Sequence, residues 1–310
     1  MDEASSEIKA LVVGASGQLG AALVSLLDSR GIPAAGTHCS RLKPGSVHLD
    51  VRDRDEVHRR ILALAPDLVF LMQNTPGGVD FCEDHPDEAA AVIVGGTRHV
   101  LEAAARHSAK VVFFSSDYIF NGKSGPYDEE AAPCPISVYG RAKLDAEILI
   151  QSYPHASLIV RTTAVFSWAP GTKNFAMQVH QRLRAGQPFP VPNDQWCNPT
   201  LAEYLAETCL KLARSDESGT FNIVGRDWMP RSDMAVALAR AMSLDPALIQ
   251  AVPTSELRQR ARRPLKGGLK TDKLCRILDR APWDLERSLE LFTRKFRQNA
   301  PIAAPDHDHA

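Results

Sequence analysis

A tyrosine and a lysine four residues apart form the strongest chemical signal of the sequence, Tyr139-Gly-Arg-Ala-Lys143. Residues i and i+4 share one face of a helix, so both side chains can reach one site. A free tyrosine has a pKa of about 10, too high for easy proton exchange near neutral pH. Because a nearby ammonium favours the phenolate, we expect Lys143 to lower the pKa of Tyr139. The tyrosine would then donate a proton to a carbonyl oxygen as a hydride arrives there.

A Tyr-x-x-x-Lys match often arises by chance, so its context decides between a catalytic pair and a surface helix pair. Upstream, the apolar run Val111-Val-Phe-Phe-Ser-Ser116 ends in two hydroxyl side chains. At the carboxyl end of a parallel strand such a hydroxyl points toward the usual ligand crevice. We therefore predict that Ser116 hydrogen-bonds the substrate oxygen beside Tyr139, and that Ser116, Tyr139 and Lys143 are catalytic.

A glycine-rich turn follows the first apolar run, with the sequence Gly14-Ala-Ser-Gly17-Gln-Leu-Gly20. Glycine allows unusual backbone angles, and the positive end of the following helix attracts a pyrophosphate. A tight strand–helix turn without a ligand is the alternative. The predicted dinucleotide contacts in this loop are Gly14, Ser16, Gly17, Gln18, Leu19 and Gly20.

The residues after the second predicted strand indicate which dinucleotide is bound. NAD-preferring sites usually place Asp or Glu there, whereas this chain has Thr37-His-Cys-Ser-Arg41. The planar guanidinium of Arg41 suits a 2′-phosphate, although a plain surface arginine is the alternative. We predict that NADP(H) is the preferred cofactor and that NAD(H) is usable. The other predicted cofactor contacts are Ser40, Asp50 and Val51 near the adenosine, and Asn74 after the fourth strand. Tyr139 and Lys143 are also predicted to contact the cofactor, since the lysine can hold the nicotinamide ribose.

Short apolar runs alternate with amphipathic helical patterns through the first half of the chain. The predicted strands of this half are residues 8–13, 32–36, 47–49, 68–72, 111–115 and 158–161. Such alternation is typical of parallel βαβ units with helices on both faces of a sheet. The sequence therefore predicts an α/β fold, a Rossmann-type doubly wound parallel sheet with a smaller, mostly helical C-terminal substrate lobe.

This alternation breaks down after about residue 163, where proline and glycine become frequent. We predict a dinucleotide-binding domain over residues 8–165, with later returns near residues 195–224. Residues 166–300 would mainly form the substrate-binding lobe. In the whole chain, helices are predicted near residues 89–105, 138–152, 175–184, 201–213, 234–242 and 285–296. Residues 301–310 are predicted to be a disordered tail.

The composition is that of an ordinary globular protein, with 44% hydrophobic and 24% charged residues among 310. A net charge of −1 gives no reason to expect a nucleic-acid or anionic-membrane partner. The polar N-terminus is unlike a signal peptide, and the predicted location is cytoplasmic. Six scattered cysteines lack zinc-site spacing, so no metal site is predicted. The closing Asp306-His-Asp-His309 suits a weak metal site or, more simply, a frayed terminus.

Longer motifs surround the Tyr/Lys pair: Ser115-Ser-Asp-Tyr-Ile-Phe-Asn-Gly122, Pro126-Tyr-Asp-Glu-Glu130, and Pro135-Ile-Ser-Val-Tyr-Gly-Arg-Ala-Lys-Leu-Asp-Ala-Glu147. With them, from Leu11 to about Leu274, the chain resembles the extended short-chain dehydrogenase/reductases. Within these it is most similar to the dTDP-4-dehydrorhamnose reductase family, which includes the regulatory β subunit of methionine adenosyltransferase. The resemblance implies a Ser116, Tyr139 and Lys143 triad, and reduction of the C4 ketone of a nucleotide-diphosphate sugar by NADPH or NADH.

The resemblance and the side-chain chemistry together suggest the substrate ligands. Those predicted are Asp117, Asn174, Gln195, Trp196 and Arg263. Trp196 would stack on a nucleobase or sugar, with core packing as the alternative. Arg263 would neutralise the substrate diphosphate, with a solvated basic loop as the alternative.

Three positions depart from the family pattern. Ile93 stands where an Asn is usual, Gln73-Asn74 replaces a smaller Asn-Ala-Ala segment, and Ala164 stands where many members have Trp. These departures keep open different chemistry of the same superfamily, such as sugar epimerisation or reduction of another carbonyl. A non-catalytic, NADP-binding regulatory subunit is the other alternative, because regulatory members of the resembling family keep the Tyr/Lys pair. A homodimer is also left open.

Overall fold

The computed structural model describes residues 8–299. The predicted tail at residues 301–310, with the Asp306-His-Asp-His309 alternative for a metal site, lies outside the described residues.

The strands are short, as the apolar runs predict. In chain order they are β1 (Ala10–Val13), β2 (Ala34–His38), β3 (Val47–His48), β4 (Leu68–Leu71), β5 (Lys110–Ser116), β6 (Ser157–Thr162), β7 (Val165–Phe166), β8 (Phe189–Pro192), β9 (Trp196–Cys197), β10 (Thr200–Leu201), β11 (Gly219–Asn222), β12 (Met229–Pro230) and β13 (Ile249–Val252).

Helices connect most of these strands. They are α1 (Gln18–Ser29), α2 (Arg54–Leu64), α3 (Gly78–Asp84), α4 (Pro86–Ala89), α5 (Gly96–Ala104), α6 (Val138–Gln151), α7 (Phe175–Arg184), α8 (Ala202–Ala213), α9 (Arg231–Ala241), α10 (Asp272–Leu278) and α11 (Leu285–Asn299). A π-helical segment, Ala90–Gly95, joins α4 to α5. Asp53 caps α2 by accepting a hydrogen bond from the Glu56 amide.

Seven strands form one parallel sheet in the order β11-β6-β5-β4-β1-β2-β3. The chain runs outward from β1 in both directions, so a crevice opens where β1 and β4 meet. The register aligns Val13 with Leu71, and Leu71 with Phe113. The loops after β1, β4 and β5 therefore leave the sheet at the same edge, and the predicted doubly wound α/β fold is confirmed.

Helices cover both faces of this sheet. Along β1, Ala10 and Val12 pack into a core with α1, α7, α8 and α9. Leu11 and Val13 point the other way, into a core with α2, α5 and α6. Alternate residues of a strand face opposite sides, so this strand is apolar throughout because both sides are buried.

The second half of the chain is less separate than its sequence suggests. Strand β11 returns to the central sheet beside β6. The core that contains Val12 of β1 also contains Phe166, Tyr204 and Phe221, so it runs across the boundary near residue 165. The division into two domains stays a prediction.

Some elements differ from the sequence expectations. The helix predicted over residues 89–105 is interrupted by the π-helical segment. Helix α3 was not expected, because its run of seven residues begins with Gly78 and has no clear apolar face. Among the described helices, none combines the length and apolar character needed to cross a membrane.

Candidate active site

Local packing positions the start of α6 beside the end of β5. The Ser137 hydroxyl caps α6 by accepting a hydrogen bond from the Gly140 amide at 3.2 Å. A Cβ atom at Gly140 would lie 2.1 Å from the carbonyl oxygen of Tyr118, so only glycine allows this approach. Tyr118 belongs to the short turn directly after β5. The first turn of α6, with Tyr139, is thereby held against the strand end that carries Ser116.

The three predicted catalytic side chains come together at this contact. The Lys143 Nζ donates a hydrogen bond to the Phe114 carbonyl oxygen at 2.9 Å, and lies 5.9 Å from the centre of the Tyr139 ring. The Ser116 hydroxyl is near enough to the Tyr139 phenol to lower its pKa. Ser116 in turn donates to a carboxylate oxygen of Asp117 at 3.3 Å. All three side chains are buried. Their catalytic roles stay a proposal.

The electrostatics of this group differ from the expectation. Burial raises the pKa of Tyr139, Cys82 acts in the same direction, and the hydrogen bond with Ser116 opposes them. The expected lowering of the Tyr139 pKa by Lys143 is therefore wrong for this structure. The physical reason is that both groups are desolvated and the Lys143 amine is directed at the Phe114 carbonyl. Burial also lowers the pKa of Lys143 to about 8.

The lowered pKa of Lys143 predicts a pH dependence. Below a pKa of about 8 the side chain is an ammonium, and above it the side chain is neutral. If the ammonium is needed for ketone reduction, kcat/KM for the ketone should be level below about pH 8 and fall at higher pH. The measurement is a pH profile of NADPH oxidation. A profile that stays level well above that pH would contradict a role for the Lys143 charge.

A cleft of about 760 Å³ opens at the same edge of the sheet, where β1 to β4 end. Most of the predicted cofactor residues line it, namely Gly14, Ser16, Gly17, Gln18, Ser40, Arg41, Asp50, Val51 and Asn74. Thr37, Gln73 and Asn174 are also part of its wall. The structure thus brings together residues that lie up to 160 positions apart in the sequence.

The glycine loop forms one wall of this cleft. Gly14 has a φ of 90°, and a Cβ there would lie 3.1 Å from the Met72 carbonyl group. Gly17 precedes the first turn of α1 and has no side chain to cap it, so the amide groups of that turn are available to an anion.

Leu19 and Gly20 face the protein with their side-chain positions, and their predicted cofactor contacts stay a prediction for the backbone. Leu19 packs against the main core. A Cβ on Gly20 would lie 2.4 Å from the Gly14 carbonyl oxygen, so this glycine allows α1 to approach the loop closely. Both residues therefore support the shape of the loop, because their side-chain positions point into the protein. Gln18 likewise uses its amide internally, donating to the Val165 carbonyl oxygen at 3.1 Å.

Charged groups cluster at the adenosine end of the cleft. Arg41 is exposed at its rim. The Asp50 carboxylate accepts hydrogen bonds from the Arg52 guanidinium, which lower its pKa and hold it ionised. Lys43 donates to the Ala15 carbonyl oxygen in the glycine loop at 3.1 Å. Sequence reasoning missed Arg52 and Lys43, because nothing local distinguishes them from other surface cations.

Two arginines converge on Tyr118, next to the triad. Burial raises the pKa of Tyr118, and the charges of Arg263 and Arg231 oppose that rise. The Arg263 Nη2 pairs with Asp80 at 2.8 Å, whereas its Nη1 is buried without a hydrogen-bond partner among residues 8–299. Arg231 lies over the Phe175 ring, 4.1 Å from its centre. Arg263 was predicted, but Arg231 and Tyr118 were missed, since no motif marks them.

Two of the other predicted substrate residues are engaged inside the protein. The buried Asp117 carboxylate accepts a hydrogen bond from the Gly268 amide at 3.0 Å, and burial raises its pKa. The Gln195 amide donates to Thr254 at 3.0 Å and Gln259 at 2.8 Å. These contacts hold the end of β5 against Gly268, and the residue before β9 against the segment of residues 254–259. Substrate contact by either residue stays a prediction.

Of the remaining predicted substrate residues, Asn174 lines the cleft and Trp196 does not. Asn174 caps α7 by accepting from the Met177 amide at 3.2 Å, and it lines the cleft. Trp196 is partly exposed, and its ring lies 4.5 Å from that of Trp228. The backbone amide of Trp196 bonds the Leu265 carbonyl oxygen at 2.6 Å. The Arg263 segment and β9 are therefore held side by side.

Comparison with known proteins agrees with this architecture. The family model described as RmlD substrate binding domain matches residues 8–298. The chain belongs to this family. The RmlD substrate binding domain family thus accounts for nearly the whole described chain, including the Tyr139 helix, the cleft and the Arg263 segment.

Relatives of this chain include a sugar reductase and a subunit of methionine adenosyltransferase. The chain is 31% identical to dTDP-4-keto-6-deoxy-D-glucose reductase of Streptomyces niveus over 253 residues, 80% of this chain and 83% of the relative. It is 28% identical to methionine adenosyltransferase 2 subunit beta of Rattus norvegicus over 275 residues, 86% of this chain and 81% of the relative. A solved structure of dTDP-4-dehydrorhamnose reductase from Bacillus anthracis in complex with NADP superposes with a TM-score of 0.84 at 23% identity, covering 93% of this chain and 99% of that one. This last similarity shows the shared fold.

Proposed function

We propose that this protein is an NADPH-dependent reductase that acts on the C4 ketone of a nucleotide-diphosphate 4-keto-6-deoxysugar. The observation that carries the proposal is the joining of Ser116, Tyr139 and Lys143 at the edge of the sheet that also forms the glycine-lined cleft. The family, and relatives that are named as reductases of such sugars, support it.

The cleft fits a dinucleotide in its chemistry. Its glycine loop leaves no space for a Cβ at Gly20 and little at Gly14, and it presents the amides at the start of α1 to an anion. Asp50 is an ionised acceptor near the expected adenosine, and Arg41 is a cation at the rim. NADPH bound in this cleft would supply the hydride.

The residues around the ketone would manage its oxygen. Tyr139 would donate the proton that this oxygen needs when hydride adds to the carbon. Ser116, which lies beside the Tyr139 phenol, would hold the same oxygen. Lys143 would hold the nicotinamide ribose beside Tyr139, and the Phe114 carbonyl anchors its amine at that position.

The two arginines beside Tyr118 would bind the substrate diphosphate. A buried guanidinium nitrogen without a partner is costly, and Arg263 Nη1 is such an atom among the described residues. Arg231 brings a second positive charge to the same place. Oxygen atoms of a diphosphate would satisfy both groups.

The test is NADPH oxidation by the purified protein with dTDP-4-dehydrorhamnose and related keto sugars, beside ketones that carry no nucleotide. We expect turnover only with the nucleotide sugars. Binding of NADPH without turnover of any of these ketones would count against a reductase.

Arg41 gives a prediction about cofactor choice. Replacement of Arg41 by Ala should raise KM for NADPH about tenfold or more, because a charge-assisted hydrogen bond to the 2′-phosphate is lost. KM for NADH should change little, since NADH lacks that phosphate. Steady-state kinetics with both cofactors measure the effect. An equal change for the two cofactors would show that Arg41 does not recognise the phosphate.

A second candidate function is a regulatory, NADP-binding subunit of another enzyme. It is favoured by the similarity to methionine adenosyltransferase 2 subunit beta, which is comparable in identity to that with the reductase. A protein of this kind would bind NADP(H) and oxidise none of it with the keto sugars. The predicted cytoplasmic location and the homodimer left open remain predictions under both functions.

A further inference from the structure

One amide oxygen in the wall of the cleft has no hydrogen-bond partner. Gln73 is only 6% exposed, and its Oε1 is buried without a partner among residues 8–299. The residue follows β4 and lines the cleft. Buried polar atoms are nearly always paired in folded proteins, so an unpaired acceptor in a ligand cleft indicates a donor on the ligand.

Neighbouring hydrogen bonds fix which end of this amide is left without a partner. The Gln73 Nε2 donates to the Thr97 hydroxyl at 2.9 Å. Thr97 uses its single hydroxyl proton toward the Ile93 carbonyl oxygen at 2.6 Å. Because that proton is committed, the hydroxyl can only accept from Gln73. The amide nitrogen must therefore point to Thr97, and the oxygen is left for another donor.

The sheet register shows what lies on either side of Gln73. On the β1 side, a Cβ on Gly14 would lie 3.3 Å from the backbone nitrogen of Gln73, so the glycine loop is its neighbour. On the β5 side, Leu71 pairs with Phe113, which brings the residues after β4 next to Phe114. The Phe114 carbonyl oxygen is the one that accepts from Lys143. Gln73 therefore lies between the candidate diphosphate loop and the catalytic lysine.

We propose that the Gln73 Oε1 accepts a hydrogen bond from a hydroxyl of the nicotinamide-side ribose and so positions this ring beside Lys143. The ribose is the part of a dinucleotide between the diphosphate and the nicotinamide, and its hydroxyls are donors of the kind that this oxygen lacks. This inference rests on the proposed function, because it requires dinucleotide binding in the cleft.

The test compares three ligands by calorimetric titration of wild type and Gln73→Met, which keeps the length of the side chain and removes the amide. The ligands are NADP⁺, 2′-phospho-ADP-ribose, which lacks the nicotinamide, and 2′-phospho-ADP, which also lacks the terminal ribose. We expect Gln73→Met to bind the first two about tenfold more weakly, as for one lost hydrogen bond, and the third with unchanged affinity.

Other outcomes separate the inference from the proposed function. If the variant binds all three ligands as wild type does, or loses affinity for all three equally, the inference is wrong and dinucleotide binding stands. Weakening with NADP⁺ alone would place the donor on the nicotinamide and also overturn the ribose assignment. Failure of wild type to bind any of them would remove the proposed function itself.

A second variant keeps the test informative if Gln73→Met does not fold. Thr97→Val removes the hydroxyl that orients the amide and keeps Gln73 in place. It should weaken the same two ligands by a smaller factor, about threefold, because the amide can still turn toward the ribose. Unchanged affinity of Thr97→Val for those two ligands would contradict the orienting role.

Discussion

We expect the Tyr139→Phe protein to reduce the ketone at least about 100-fold more slowly than wild type, and up to about 10,000-fold, because it lacks the proton donor. Its affinity for NADPH should stay within a few-fold of wild type, since the substitution removes one oxygen atom from the wall of the site. Burial already keeps the phenol protonated by raising its pKa, which is the form that a donor requires. The measurements are single-turnover NADPH oxidation and cofactor titration.

Tyr153→Phe is the matched control for this substitution. Tyr153 is also buried, it follows α6, and its hydroxyl donates to the Ala109 carbonyl oxygen at 2.8 Å, away from the triad. This variant lacks one phenol hydroxyl and should still reduce the ketone at the wild-type rate. If Tyr139→Phe were as active as Tyr153→Phe, proton donation by Tyr139 would be excluded.

The second large effect concerns a buried ion pair that holds α6 on the sheet. The Arg161 Nη2 lies 2.8 Å from the Glu147 carboxylate, and the two side chains are 5% and 0% exposed. Arg161 also donates to the Glu129 carbonyl oxygen at 2.9 Å. Glu147→Leu should lower the free energy of unfolding by about 3–5 kcal/mol, because it leaves a guanidinium buried without its counter-ion. Equilibrium denaturation with urea measures the change.

Two controls identify the cause of this loss. The double variant Glu147→Leu, Arg161→Met should be more stable than Glu147→Leu alone, because no unpaired charge remains. Glu102→Leu breaks an exposed pair with Arg54 at the same 2.8 Å distance and should have little effect. A Glu147→Leu protein as stable as Glu102→Leu would show that the buried pair is not needed for folding.

Much of the fold follows from local sequence patterns. The alternation of apolar runs and helices gives the strands of the sheet to within two residues at most ends, because each run is short and bounded by polar residues. The Tyr139 and Lys143 pair is likewise local, as one helix positions both. Ser116 could be predicted to join this pair, because the carboxyl ends of parallel strands lie at one edge of the sheet.

The residues that sequence reasoning missed depend on tertiary contacts. Arg231 begins α9, more than a hundred residues after Tyr118, and only packing brings the two together. Gln73 was noted as a departure from the family, but its free oxygen is visible only once Thr97 is seen to hold the nitrogen. The raised pKa of Tyr139 depends on burial, which spacing along a helix does not give.

The central claim is that hydride passes from NADPH to C4 of a nucleotide sugar in this protein. The most direct measurement uses NADPH with deuterium at the transferred position of the nicotinamide, incubated with dTDP-4-dehydrorhamnose and wild-type protein. We expect one deuterium in the sugar product, located at C4 by nuclear magnetic resonance, and none with Tyr139→Phe over the same time. If wild-type protein binds the deuterated cofactor and the sugar still carries no deuterium, the claim is contradicted.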